Sequence, residues 1–327
     1  MRNFILSIIG FTLFALCFSS ESNGQQLFRR SQFMTNPFLS NPAIAGTLPE
    51  SMVSMGYRNQ WTGFEGAPET MTLSGHTALP NRIGVGGLIY SDDTGGAIRR
   101  TGIELAGSYT IDLNNYDAVS FGLSLMANQW SFDNDLDVWD VEDPALQYGM
   151  EQSLSMDAHF GMMVFGDAYA FGFAIPHLIQ ASSGLGTSSA VSGLDNTQVR
   201  HFRFMGHYRY DVSDEFTIEP SALVRVTPQT PAQMDVYLRG WYNRMAWMSL
   251  GFRTNDAVII GVGGQYNNVG LSYVYDVTST AARYLSPHSH EVTLTYFVPR
   301  STGFSSNSWN YRRILNSSRR YRSPRRN

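Results

Sequence analysis

A chain of 327 residues with 13% aromatic residues, one cysteine and a formal net charge of −4 is long enough to bury a sizeable core, and its balance of charge does not mark it as a nucleic-acid binder. All 23 basic residues are arginines, and those between positions 300 and 326 meet no acid, so an acidic body ends in a basic tail. The only cysteine, Cys17, lies in the leader, which leaves the mature chain without disulfides or thiol chemistry.

The leader comes first. Arg2 is followed by an apolar run from position 4 to 18 and by small and polar residues up to Gly24, the pattern of a secretory signal peptide over 1–24. Leu16 before Cys17 argues against a lipoprotein site. Beyond it no apolar run reaches the roughly 18 residues of a transmembrane helix. Residues 25–50 form a turn-rich leader or partial plug on the periplasmic side. Its stretch NPFLSNPAIAGT, starting at Asn36, carries two Asn-Pro pairs, and proline drives the residue before it out of the helical region.

From Met52 to Val298 the pattern alternates with period two. In FTIEPSALVRV, Phe216, Ile218, Ala222, Val224 and Val226 share one face, while Thr217, Glu219, Ser221 and Arg225 share the other. About 14 such segments are predicted, near 52–61, 70–79, 83–92, 100–111, 117–130, 153–165, 168–175, 199–211, 215–227, 233–243, 245–253, 257–266, 268–277 and 289–298. Even-numbered joints are tight (79–81, 113–117, 166–168, 212–215, 243–244, 267–268). Odd-numbered joints are mostly longer (62–69, 131–152, 176–198, 278–288). That sorting belongs to a transmembrane antiparallel β-barrel over 51–299, with short periplasmic turns and longer extracellular loops, rather than to a soluble sandwich. Tyr57, Trp61, Trp130, Tyr266, Tyr296 and Phe297 sit at strand ends and are expected to form two interfacial girdles. Pro176 is expected to end a strand and Pro220 to mark a bulge.

With the barrel in place, QFMTNPFLSNPAIAGT, YRNQWTGFEGAPET, VGLSYVYDVTS and SHEVTLTYF, in that order from Gln32 to Val298, resemble the PorP/SprF family of type IX secretion proteins from the Bacteroidetes. The resemblance implies an outer-membrane accessory component of the secretion machinery, reached after signal-dependent export. It would assist export or surface anchoring of large adhesins bearing a C-terminal sorting signal, as in gliding members, without being an enzyme. Partners so implied are machinery subunits and adhesin cargo, alongside outer-membrane lipid and lipopolysaccharide; nucleic acid is not among them. The alternative is a general porin or small-solute channel. The arginine-rich tail departs from the family, whose members commonly stop near the last strand.

Candidate partner or plug residues are Asn36, Pro37, Asn41, Pro42 and Gly46, together with Arg58, Gln60 and Trp61 of the first strand. Arg58 is expected to face the lumen, where Glu104 or Asp235 could pair with it, and Asn59 to lie at or above the outer interface. The tail over 300–327 reads as disordered alone. Its Arg312, Arg313, Arg319, Arg320, Arg322, Arg325 and Arg326 are candidates for docking to acidic subunits, peptidoglycan or phospholipid, because the guanidinium fork suits carboxylates and phosphates.

No cofactor, metal or catalytic site is expected. Asp133, Asp135 and Asp137 have the spacing of a calcium loop, but Val138 and Pro144 stand where Gly and Glu are required. Weak calcium binding or metal-bridged lipopolysaccharide remains the alternative to a solvated acidic loop. Ser289, His290 and Glu291 alternate across a strand, so they cannot line up as a triad.

Overall fold

The computed structural model describes residues 28–48, 50–63, 66–95, 98–114, 116–132, 152–183, 196–228, 230–280 and 288–299. The segment expected to be a signal peptide, the acidic 133–143 segment and the arginine-rich tail lie outside these residues. Fourteen strands close into an antiparallel barrel. They are β1 Ser51–Asn59, β2 Glu69–Ala78, β3 Ile83–Asp93, β4 Ile98–Asp112, β5 Ala118–Phe132, β6 Gln152–Phe165 and β7 Tyr169–Ile175. The second half comprises β8 (Phe202–Tyr208 and Tyr210–Asp211), β9 Phe216–Thr227, β10 Thr230–Tyr242, β11 Ala246–Arg253, β12 Ala257–Tyr266, β13 Val269–Thr278 and β14 His288–Val298. Each strand pairs with its sequence neighbour, and β1 pairs with β14 from Ser51↔Val298 to Asn59↔His290, leaving no free edge.

Alternation explains the wall. Along β1, Val53, Met55 and Tyr57 point out and are exposed, while Ser54 and Arg58 point in and are buried. The same phase holds elsewhere, with Leu105 64% and Met248 67% exposed on the outer surface. So much bare apolar area fits a wall solvated by lipid. The tight hairpins need left-handed backbone: Asn243 and Arg244 have φ of 48° and 55°, as in the two-residue turn that matches strand twist. Tight turns also occur at the opposite end, between β9 and β10 and between β11 and β12.

The structure changes three expectations. Outward aromatics gather at the tight-turn end, where Tyr109, Phe121, Phe171, Tyr208, Tyr210, Phe216, Tyr242, Tyr266 and Tyr296 are exposed, so one belt is far denser than the other. Trp130 and Phe297 are not part of it: Trp130 is in phase with buried Asn128, and Phe297 with buried Thr295, so both face the lumen. Pro220 is not a bulge, because it sits in register with Leu238, and the irregularity lies between Arg225 and Thr227. On its other side the ladder to β8 has no pair at Pro220, opposite Tyr208, where a missing N–H breaks the run of bonds. Pro176 does follow the end of β7.

Candidate functional site

The first described segment, residues 28–48, runs through the barrel as a strap. Phe28 lies beside Tyr90 and Arg100 near the long-loop ends of β3 and β4, and Ala45 touches Gly84 at the tight-turn end of β3. The strap therefore spans the length of the lumen before the chain enters β1.

Sequence dictates its lower half. Each Asn-Pro pair opens a one-turn 3-10 helix, Pro37–Ser40 and Pro42–Ile44, since proline at the first helical position gives up an N–H that would be unpaired anyway. Asn41 Oδ1 accepts the Ala43 N–H at 2.9 Å, and its Nδ2 donates to the carbonyls of Met162 at 3.0 Å and Phe173 at 3.2 Å. Asn36 Nδ2 donates to Ser74 Oγ, the Gly46 N–H to His76 Nδ1, and Ser108 Oγ to the Ala45 carbonyl. Gly46, with φ of 67°, takes a backbone shape that other residues adopt at a cost. The wall is cut back to receive these turns: a Cβ on Gly84 would stand 2.0 Å from the Ala45 carbonyl oxygen, and one on Gly122 2.3 Å from the Ala43 nitrogen. Phe33, Phe38, Ala43 and Ile44 are almost fully buried there.

Charge holds the upper half. The Ser31 N–H donates to Glu291 Oε2 at 2.7 Å and its hydroxyl to Asp276 Oδ2 at 2.6 Å. Arg58 bridges the same two acids, at 2.8 Å to Asp276 and 3.2 Å to Glu291. Arg253 binds Asp235 at 3.1 Å and Asp256 at 3.2 Å, and donates to the Arg30 carbonyl and Ser31 Oγ. Arg29 reaches Asp256 and Arg30 reaches Glu291.

The expected partners of Arg58 are thus corrected. Glu104 is engaged by Ser124 and His159, and Asp235 by Arg253 and Arg225. Arg58 meets Glu291 because the two are directly paired across the seam of the barrel. Gln60 lies just past β1, its N–H on the Pro68 carbonyl, and the Trp61 N–H donates to Ser289 Oγ. Asn59 bonds Glu69 at the strand end. Ser289 and Glu291 face the lumen, while His290 contacts Tyr273 on the outer side.

Sequence reasoning missed the contacts at the outer mouth. The rings of His177 and His201 lie there 6.0 Å apart and tilted by 58°, beside Asp157, which accepts from His177 Nδ1. Burial lowers the His177 pKa against that bond, and burial with the nearby Arg203 charge takes His201 down to about 3, so both rings are neutral at pH 7. On the lipid side a hollow of about 540 Å³ lies between Met55, Met71, Leu73, Ile89, Ile103 and Leu154. It faces acyl chains and is remote from the strap.

A family model described as type IX secretion system membrane protein PorP/SprF matches residues 22–296. No curated protein matches the chain significantly. Among solved structures, the toluene transporter TbuX of Ralstonia pickettii is 9% identical, with a TM-score of 0.49, and the match covers 80% of this chain and 93% of that one. The toluene transporter TodX of Pseudomonas putida is 7% identical at a TM-score of 0.47, covering 86% and 96%. A FadL homologue of Pseudomonas aeruginosa is 11% identical at 0.44, covering 84% and 96%.

Proposed function

The chain belongs to the PorP/SprF family of type IX secretion system membrane proteins, and we propose that it works as an outer-membrane accessory barrel that assists export or surface anchoring of large adhesin-like cargo. The observation that carries this reading over a diffusion channel is the filled lumen. Inward side chains around most of the wall are buried, Ser120, Asn128, Asp235 and Arg253 completely. A water-filled pore would leave such groups wet. The barrel acts by binding rather than by catalysis, and it reaches the outer membrane after its signal peptide is removed. Cargo is recognised by its C-terminal sorting signal, with lipid and lipopolysaccharide around the wall. Val298, at the tight-turn end, releases the chain toward the periplasm. The arginine-rich tail is there a docking arm for acidic machinery subunits or phosphate head groups.

The test compares the surface and culture-fluid proteome of a strain lacking the gene with that of its parent. Loss of one or a few large surface proteins, restored by complementation, supports the reading. An unchanged surface with altered small-solute uptake refutes it and favours a channel. Truncation after Pro299 tests the arm: normal secretion by the truncated barrel removes it from the proposal.

A further inference from the structure

A group of buried donors without acceptors lies beside the upper strap. On the inner faces of β4 and β5, Arg100 Nε and Nη2, Asn128 Nδ2 and Trp130 Nε1 have no hydrogen-bond partner among the described residues. Arg100 is directly paired with Trp130, and Asn128 sits opposite Gly102. The Asn128 amide is oriented by Tyr90, whose hydroxyl bonds its Oδ1 and so leaves Nδ2 as the free end. Arg100 lies under the rings of Phe28, Tyr90 and Trp130 at 5.1–5.8 Å, and its nearest acid, Asp92, stands at 3.7 Å and is bonded to Thr70. Burying such an orphan is costly unless an acceptor meets it. All four atoms are donors, so what they lack is of one polarity.

A second observation comes from a different part of the wall. Arg203 on β8, half-buried and facing inward, has no hydrogen bond or ion pair among the described residues. It is directly opposite Arg225 on β9, and Arg100 is another of its charged neighbours. Like charges face to face destabilise a ladder. The acid within reach of Arg203 is Glu104, which is already bonded to Ser124 and His159. Arg225 is occupied by Asp235 and Gln233.

We propose that Arg100, Asn128, Trp130 and Arg203 form a binding site for a single oxyanion, a carboxylate or phosphate group, in the outer half of the lumen beside the strap. An anion accepts from the orphan donors and neutralises the Arg203 charge in one step, which a neutral acceptor cannot do. Charge-assisted bonds of this kind are about twice as strong as neutral ones. The site is independent of the secretion role.

The experiment is isothermal titration of the full-length barrel in detergent at constant ionic strength, with inorganic phosphate and then acetate as probes. A saturable one-site heat is expected for wild type. Arg203→Gln should weaken binding about tenfold, the loss of one charged bond. Trp130→Phe keeps the ring over Arg100 but removes the N–H, so it should weaken binding about threefold and carries the test should Arg203→Gln misfold. Phosphate binding far better than acetate identifies a phosphorylated head group as the source; equal binding identifies a polypeptide carboxylate. No saturable heat from either anion, or variants that bind like wild type, overturns the site.

Discussion

The two halves of the strap are held by different physics. Below, residues 36–46 fit a wall whose inward positions are Gly84, Gly86, Gly122, Gly161 and Gly172: strap backbone abuts Gly84 and Gly122, and the Phe38 and Asn41 side chains abut the others. Above, Arg29, Arg30 and Ser31 enter a network of Arg58, Arg253, Asp235, Asp256, Asp276 and Glu291 that is almost wholly buried. Packing of the lower kind combines close shape fit with neutral hydrogen bonds from Asn36, Asn41 and Gly46. A buried ion network gains little net energy over an apolar substitute, yet it is costly to break on one side. The comparison teaches that the lower half sets where the strap lies, while the upper half fixes its register against both strands of the seam.

The largest effect should come from breaking the network. Arg253→Ala leaves Asp235 buried without its main partner and should cost about 3–5 kcal/mol, read as a lower urea midpoint in lipid vesicles. Arg253→Met, apolar and of similar length, should cost less than Arg253→Ala only if Asp235→Asn accompanies it. The lower half breaks by crowding. Gly122→Val sets side-chain atoms against the Ala43 backbone and should cost about 1–3 kcal/mol, whereas Gly107→Val, whose Cβ would meet nothing within 4 Å, should be neutral by the same assay. Asn41→Ala removes one cap and two wall bonds, for a loss of about 1–2 kcal/mol.

The smallest effect lies at the outer mouth. His201 titrates at about 3 in the folded chain against about 6.5 unfolded, so the unfolded state binds more protons between these values and stability falls as the solution is acidified through that window. Between pH 8 and pH 6 the loss should be about 1 kcal/mol, and His201→Gln should abolish that share of it.

Much of the barrel was legible because lipid outside and a polar interior impose a strict period of two. The sides taken by Trp130 and Phe297 were legible too: each is in phase with inward residues, Asn128 and Thr295, but position near a strand end outweighed phase in the reading. The wall glycines also left a signal, since Gly84, Gly86 and Gly122 fall in the inward phase next to Ser108, Ser120 and Ser124. The partners of Arg58 were not legible. Glu291 lies 233 positions away, and only closure of β1 on β14 brings the two together.

The most direct measurement is conductance of the purified barrel in planar bilayers, for wild type and for a variant lacking residues 36–46. A strap-filled lumen should give no channel steps in wild type and open steps in the deletion. Stable open channels in wild type would contradict it.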